Sequence, residues 1–402
     1  MFRLFYLCLP LFIFILSCEE YANTESIWPP LGSTQEKPVI LSVSPPADSA
    51  FAGYSTVTIH GENFSPDSGG NAVYMGGVRV ELESESSNEI ALVAPDVAGD
   101  TIVIKVTVDG SLDIASYTYR LQTLSEEYGG FTNADKVRSI AMDMEENLYT
   151  MMSDRTVRKI QPNGDWIEFG TTTFPVASEM RIGPNGYLYL QKISQRVLFR
   201  IPPVGGEVEE FASFPNTMGG ENLKLNSFDF DVNGNIYLGG LGGGLVLLRP
   251  DGTIEGVGDH VGFAIKSVRI YNDYVYVAGE DGIYRNQIQN DGLLSAKELI
   301  FDWDNAGTYS SSKVKSITFS ETGQLFIGTD NSNDSIDPIL ILSDESVLEP
   351  LYPGQLLQPA HHLLWGNDIY MYVNRYKSSN DEIRRVIKVN MLKNGAPYHG
   401  RQ

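Results

Sequence analysis

From about residue 122 onward, hydrophobic and polar positions along the chain repeat in a fixed order. An apolar strand is followed by a short polar turn, and a second strand then carries an aromatic residue near its start. These aromatic residues, which lie 40, 48, 39, 50 and 44 positions apart, are Tyr149, Tyr189, Tyr237, Tyr276, Phe326 and Tyr370. A period in the forties that is built from short strands is typical of β-propellers, and six copies predict six blades.

The end of the chain predicts how the ring of blades closes. The last repeat supplies three strands, the third at residues 385–389, and Asn394-Gly395-Ala396-Pro397 then breaks any further strand. Because each blade buries its faces against its neighbours, the ring is stable only when it is closed. We therefore expect the segment at 121–131, just before the first blade, to supply the missing outer strand.

Hairpins such as Asn233-Gly234-Asn235-Ile236-Tyr237 make the repeat similar to that of NHL-type six-bladed propellers. Residues 122–402 are accordingly assigned to an NHL-like six-bladed β-propeller. The resemblance covers about 270 residues, but its motif is degenerate.

Residues 38–121 alternate apolar and polar positions, with turn residues about every ten positions, which predicts an immunoglobulin-like sandwich. The segment resembles the IPT/TIG domain family, which implies a non-catalytic spacer or docking module. The motifs that carry this resemblance are Pro38-Val39-Ile40, Ser44-Pro45, Gly53, Val57-Thr58-Ile59, Gly61, Asn63-Phe64, Gly76-Gly77, Ala94-Pro95 and Tyr117-Thr118-Tyr119. The predicted fold class is therefore all-β throughout, a sandwich followed by a propeller.

The N-terminus has the features of an export signal. Arg3 precedes an apolar run of 13 residues that is too short to span a bilayer as a helix, and residues 1–17 are predicted to be a signal peptide. The sequence Ile15-Leu16-Ser17-Cys18 resembles a bacterial lipobox, which implies that Cys18 becomes the acylated first residue of the mature lipoprotein. The alternative is an ordinary secretory signal with a cysteine there by chance.

The residues after Cys18 bear on localisation. Glu19 and Glu20 resemble the surface-export signal of Bacteroidota lipoproteins, which favours the cell surface over the periplasmic face of the outer membrane. Residues 18–37 are polar and contain proline, and we interpret them as a lipid-anchored linker. The bilayer would be contacted through the N-terminal acyl chains.

The charge balance excludes one class of partner. Lys and Arg number 29 against 51 Asp and Glu, a formal net charge of -22, which repels phosphate backbones, so no nucleic-acid partner is expected.

No catalytic, cofactor or metal site is predicted from the motifs. Asp229-x-Asp231-x-Asn233-Gly234 begins like a calcium loop, but its twelfth position is Gly240 and the segment is predicted to be a hairpin. The five histidines lack the spacing of a zinc site, and one of His361 and His362 is expected to face the channel.

Long loops suggest where a ligand binds. The loops at 214–224, 303–313, 329–337, 352–360 and 374–382 all fall between second and third strands or between blades, and these connections emerge on one face of a propeller. Aromatic residues flanked by polar ones suit stacking on sugars, although packing beneath a loop explains any one of them equally well. The four predicted rim residues are Trp303, Tyr309, Tyr352 and Tyr376.

Residues at the starts of the inner strands are expected to line the channel mouth. This set contains both basic and acidic residues, and it has too few carboxylates for a lactonase-like calcium site. Its members are Arg138, Glu179, Asn226, Lys266, Lys315 and His361.

The leading hypothesis is a surface lipoprotein whose propeller binds an extracellular glycan or an envelope protein without catalysis. A second hypothesis is a metal-dependent propeller lyase or hydrolase that uses Glu179 at the channel mouth. A third is a structural component of the envelope.

Overall fold

The computed structural model describes residues 32–401 apart from 133, 345 and 377–384. Among these residues the regular elements are β-strands and four short 3-10 helices, at Pro184–Gly186, Trp303–Asn305, Gly307–Tyr309 and His399–Arg401. No helix within this part of the chain has the length and apolarity needed to cross a bilayer. The chain divides into two compact units, one of residues 32–44, 58–92 and 103–118, and one of 45–57, 93–102 and 119–401.

Residues 39–121 form two four-stranded sheets, as an immunoglobulin-like sandwich requires. One sheet has the order β1-β2-β6-β5, with β1 Val39–Ser44, β2 Thr56–Glu62, β6 Glu89–Val93 and β5 Leu82–Glu85. The other has the order β4-β3-β7-β8, with β4 Val78–Val80, β3 Asn71–Met75, β7 Gly99–Val108 and β8 Ile114–Leu121.

The alternation in the sequence determines which side chains of these strands are buried. In β2, Val57 and Ile59 are buried while the residues between them are partly exposed. Position 61 of the motif must be glycine for a steric reason, because a Cβ there would lie 2.1 Å from the carbonyl oxygen of Val39 in the paired strand. The sequence motif and the burial therefore agree.

The second unit contains six sheets, and this confirms the predicted six-bladed propeller. Each sheet has a core of four antiparallel strands, which follow one another along the chain in blades 1–5, and two sheets carry a fifth short strand. Blades 1 and 2 are formed by β10 Val137–Met142, β11 Leu148–Met152, β12 Thr156–Ile160 and β13 Trp166–Thr171, then β14 Ala177–Ile182, β15 Leu188–Lys192, β16 Val197–Ile201 and β18 Glu209–Ser213. The short β17 Gly206–Glu207 adds to β13 in parallel. Blades 3 and 4 are formed by β19 Thr217–Met218, β20 Glu221–Phe230, β21 Ile236–Gly242, β22 Leu245–Leu248 and β23 Ile254–Val257, then β24 Ile265–Tyr271, β25 Tyr274–Gly279, β26 Gly282–Gln287 and β27 Glu298–Asp302.

Blades 5 and 6 complete the series. Blade 5 is formed by β28 Lys313–Phe319, β29 Leu325–Asp330, β30 Ile339–Leu342 and β31 Leu348–Pro350. Blade 6 is formed by β32 His362–Trp365, β33 Tyr370–Asn374, β34 Val386–Asn390 and the early strand β9 Ser125–Tyr128.

The ring closes as the sequence predicts. Strand β9 pairs antiparallel with β34, so that Glu127 lies opposite Ile387 and its carboxylate contacts the guanidinium of Arg385. Each inner strand contacts the inner strand of the next blade, and β32 of blade 6 contacts β10 of blade 1. The six inner strands therefore surround one central channel.

Burial falls from the channel outward within each blade. All five residues of β11, the second strand of blade 1, are buried, whereas four of the five residues of β18, an outer strand, are exposed. Strands covered on both faces need continuous apolar runs, and strands at the rim do not. This gradient explains why the inner pair of each blade gave the clearest signal in the sequence.

Candidate functional site

The channel mouth is lined by one residue from each inner strand or from just before it. In blades 1–5 the pairing of the inner strand with the second strand slips by one residue, so one side chain bulges out of the ladder. In blade 6, His362 is the register partner of Asn374, and the N–H of the preceding residue, His361, donates to the carbonyl of the same Asn374. His361 therefore takes the place of the bulged residue in this blade. We call the five bulged residues together with His361 the mouth ring; its members are Arg138, Ser178, Asn226, Lys266, Lys315 and His361, and all are half-buried.

The prediction that Glu179 belongs to this ring is wrong by one residue. The bulge in blade 2 uses Ser178, so Glu179 lies one position deeper and is only 7% exposed. No local pattern in the sequence marks which of Ser178 and Glu179 bulges out of the strand pairing. The other five predicted residues do occupy equivalent positions.

The mouth ring contains three cations and no carboxylate of its own. Lys266 Nζ lies 3.3 Å from Glu280, and Lys315 Nζ lies 3.2 Å from Asp330, so each lysine has an acidic neighbour from the end of a second strand. Arg138 is held differently. Its guanidinium carbon lies 4.1 Å from the ring centroid of Tyr376.

The two adjacent histidines play different parts. His361 belongs to the mouth ring, and desolvation, helped by the charges of Lys315 and His362, lowers its pKa to about 3. His361 is therefore neutral at pH 7, and its 3.8 Å approach to Asp330 is not an ion pair there. His362 spans the channel, because its Nε2 donates to the carbonyl of Ser178 at 2.9 Å.

Below the mouth ring, a polar layer links blade 2 to 3, blade 3 to 4 and blade 4 to 5 through hydrogen bonds. Ser227 Oγ accepts the N–H of Val268 in the next inner strand at 3.0 Å, and Ser267 Oγ accepts that of Ile317 at 3.1 Å. A short hydroxyl at this position can satisfy a backbone donor of the neighbouring blade. The equivalent residues in the six blades are Ser139, Glu179, Ser227, Ser267, Ser316 and His362.

One level deeper, a buried ion network crosses blades 2 and 3. Arg181 lies 3.5 Å from both Glu179 and Asp229, and its Nε donates to the carbonyl of Phe228 at 2.6 Å. Burial alone would lower the pKa of Arg181, but the carboxylates of Asp229 and Glu179 raise it above its usual value. Burial raises the pKa of Asp229. Arg181 and the two carboxylates therefore compensate one another's charge inside the folded protein.

The C-terminal segment closes the other end of the channel. The hydroxyl of Tyr398 lies 3.3 Å from Thr318 Oγ1, and the ring of Tyr398 lies within 6 Å of the guanidinium groups of Arg181 and Arg269. A Cβ at Gly400 would lie 2.7 Å from the carbonyl oxygen of Ile182. The cavity that remains beside Tyr398 measures about 20 Å³, roughly the room for one water molecule.

The long loops contact one another on the mouth side, as their place in the chain predicts. The N–H of Asn331 donates to Gln358 Oε1, and Asn331 Nδ2 donates to Ser312 at 2.8 Å. Arg375 Nε donates to the carbonyl of Leu357 at 3.0 Å. Four of the five loops are therefore joined by hydrogen bonds, although the loop at 374–382 lies partly outside the described residues.

The predicted rim aromatics are mostly packed rather than displayed. Trp303 is 5% exposed and makes an edge contact with Phe301, which contradicts its assignment to an open binding rim. Tyr376 is 9% exposed, because Arg138 covers its ring.

The other two predicted rim aromatics are half-buried. The hydroxyl of Tyr352 donates to the carbonyl of Asn390 at 2.6 Å, and its ring meets Phe51 and Tyr54 edge-on. Tyr309 is partly exposed at the end of a 3-10 helix. The packing alternative therefore explains Trp303, Tyr352 and Tyr376.

The calcium-like motif forms a hairpin turn, as predicted. Asp231 Oδ1 accepts the N–H groups of Asn233 and Asn235, which is what such a turn needs. Within the described ranges, no three His, Cys, Asp or Glu side chains are placed to hold a metal ion together. His260 is buried, its Nε2 lies 2.6 Å from Asn286 Oδ1, and desolvation lowers its pKa.

Two features of the channel were not anticipated from the sequence. The polar layer has a signal in the sequence that could have been recognised, since four inner strands carry serine directly before an apolar residue. The closure by Tyr398 has none, because one tyrosine in a Pro- and Gly-containing tail predicts no contact. The predicted signal peptide, Cys18, Glu19 and Glu20 lie outside the described residues.

Comparison with known proteins supports the two-part fold. Residues 38–122 match the family model described as the IPT/TIG domain. No curated protein is similar enough to this sequence to count as a match. The similarities below are therefore to solved structures.

Two structures from Bacteroides thetaiotaomicron VPI-5482 share this fold over most of both chains. One, a putative phosphatase, is 12% identical, with a TM-score of 0.57 over 89% of this chain and 97% of its own. The other, an auxiliary nutrient binding protein, is also 12% identical, with a TM-score of 0.52 over 88% of this chain and 97% of its own. At such identities the likeness shows a common fold and nothing about activity.

Proposed function

We propose that this protein is a lipid-anchored, non-catalytic binding protein of the cell surface, whose propeller mouth binds an extracellular glycan. The observation that carries the proposal is the mouth ring. All six blades bring a polar side chain to one end of the channel, while Tyr398 and its neighbours fill the other end. Polar groups converging on a rigid scaffold are a common basis for ligand binding.

The chemistry of the mouth favours a glycan over an apolar ligand. The side chains of the mouth ring differ in length and carry N–H and O–H donors, and these donors match the hydroxyl and ring oxygens of a sugar. An apolar partner would need exposed aromatic anchors, whereas Trp303 and Tyr376 are buried. If no glycan binds, an envelope protein is the ligand to expect.

The proposal assigns no catalytic step to Glu179. Its carboxylate accepts a hydrogen bond from Ser227 and lies beside Arg181, so both oxygens already have partners. An auxiliary nutrient binding protein and a putative phosphatase share this fold, so the fold is compatible with both a binding and a catalytic role, and the experiments below must separate them.

Localisation is part of the same proposal. The lipobox at Cys18 and the acidic pair Glu19-Glu20 support an acyl anchor and display on the outer membrane. Mass spectrometry of the mature N-terminal peptide should find the acylated cysteine, and Cys18→Ser should release the protein from the membrane. Protease treatment of intact cells should then distinguish surface display from a periplasmic position.

The binding role is tested with the lipid-free Cys18→Ser protein on glycan arrays and by calorimetry with any glycan retained. We expect the double variant Asn226→Ala/Lys266→Ala to weaken binding at least tenfold. Lys393→Gln changes a lysine that bonds to Gln324 beside the closed end of the channel, and it should bind like the parent. Blank arrays together with blank pull-downs would remove the support for a binding role. A stoichiometric divalent metal by elemental analysis would instead favour the lyase or hydrolase.

A further inference from the structure

Arg138 is the one cation of the mouth ring that is oriented by neutral groups. Its Nε donates to Ser153 Oγ at 2.8 Å, and its guanidinium lies over the ring of Tyr376. Ser153 is fixed in turn, because its hydroxyl donates to the carbonyl of Lys136. The ring of Tyr376 and the hydroxyl of Ser153 therefore hold the guanidinium from two sides.

This arrangement leaves the far edge of the guanidinium for a ligand. Considering residues 32–401 without the undescribed positions, no acceptor is hydrogen-bonded to the two terminal nitrogens of Arg138, and no carboxylate lies within 4 Å of it. The acidic residue of the loop before β10, Asp135, is bound to Arg158 at 2.9 Å and to Thr132.

The other two cations of the mouth ring differ from Arg138 on this point. Lys266 and Lys315 each have a carboxylate within 3.3 Å. A half-buried cation without an acidic partner attracts an anion, and a guanidinium fork pairs with two oxygens of a carboxylate or a similar oxyanion through two parallel hydrogen bonds. A lysine cannot reproduce that geometry.

We infer that Arg138 anchors an acidic group of the bound ligand, so that the glycan is an acidic saccharide. This inference rests on the proposed function and specifies it. The group that fits the fork is the carboxylate of a uronic acid or the sulfate of a sulfated sugar. The overall charge of -22 repels such ligands at a distance, so recognition depends on a local donor.

The test compares three saccharides by calorimetry on the lipid-free Cys18→Ser protein: oligogalacturonate, its neutral methyl ester, and a κ-carrageenan oligosaccharide, which carries sulfate and no carboxylate. We expect one acidic saccharide to bind at least tenfold more tightly than the methyl ester, and the preferred one identifies the acidic group. Arg138→Lys should lose at least tenfold in affinity for that saccharide, and Ser153→Ala should lose less.

Arg285→Lys is the matched control, because that guanidinium is bound to Glu298 on the outer strands of blade 4. It should bind like the parent, and thermal unfolding should show Arg138→Lys to be folded. Equal binding of neutral and acidic saccharides, or unchanged binding by Arg138→Lys, overturns the inference and leaves the proposed function standing. No binding of any saccharide by the parent, here and on the arrays, overturns both.

Discussion

The hydroxyl of Ser227 donates a hydrogen bond to Glu179 Oε2 at 3.0 Å, and this contact joins the inner strands of blades 2 and 3. The other oxygen of Glu179 faces Arg181, which is buried and charged. A carboxylate placed in this way stabilises the channel wall. Its removal leaves a buried guanidinium with Asp229 as its one remaining carboxylate neighbour among the described residues.

Glu179→Ala is therefore expected to lower the free energy of unfolding by about 3–5 kcal/mol, as measured by urea denaturation. Glu179→Gln retains an acceptor for Ser227 and should lose less. If Glu179→Ala were as stable as the parent but failed to bind its ligand, Glu179 would belong to the binding site rather than to the channel wall.

The low pKa of His361 predicts how stability depends on pH. Desolvation first, then Lys315 and His362, lowers this pKa from its usual 6.5 to about 3. Between these values the unfolded chain binds a proton at His361 and the folded chain does not, so falling pH favours unfolding. We expect the unfolding free energy to decline as the pH falls from about 6.5 to about 3.

His361→Gln should remove part of that decline, which urea titrations at pH 7 and pH 4.5 can measure. An NMR titration gives the direct check, since the imidazole of His361 should stay neutral at pH 5. A histidine that titrates near 6.5 in the folded protein would contradict this prediction.

Closure of the ring predicts that proline substitutions at two adjacent positions, 126 and 127, differ in their effect on stability. The N–H of Asn390 donates to the carbonyl of Leu124, so alternation along the antiparallel ladder makes Glu126 and Lys388 the next hydrogen-bonded pair. Glu126→Pro removes a donor from that pair, whereas the N–H of Glu127 points away from β34.

We expect Glu126→Pro to lower the free energy of unfolding by about 1–3 kcal/mol. Glu127→Pro loses only its exposed contact with Arg385 and should cost about 1 kcal/mol or less. Thermal or urea unfolding of the two full-length variants measures the difference. Equal losses would mean that β9 is not needed to close blade 6.

What the sequence could predict depends on how far each signal extends along the chain. The blades and their closure follow from apolar periodicity and from a strand missing in the last repeat, and both are local patterns. The position of Glu179 depends on a one-residue bulge at Ser178, which no local pattern marks. The burial of Trp303 depends on Phe301 and the loop above it, so composition alone could not separate a sugar platform from core packing.

Trp303 provides the sharpest test of that distinction. Its indole packs with Phe301, Ala306 and Val314 in the core between blades 4 and 5 and is 5% exposed. Trp303→Ala should therefore lower the free energy of unfolding by about 3–5 kcal/mol, because a large cavity opens in that core.

Trp303→Phe should lose less, since it fills part of the cavity and removes an indole N–H that has no hydrogen-bond partner within the described chain. Tyr309→Ala, at a partly exposed position of the same loop, should change stability little and serves as the control. Urea denaturation measures stability, and calorimetry on the folded fraction measures glycan affinity. If Trp303→Ala kept full stability and lost glycan binding, the indole would be a sugar-stacking surface, because a residue buried in the core cannot be removed without cost.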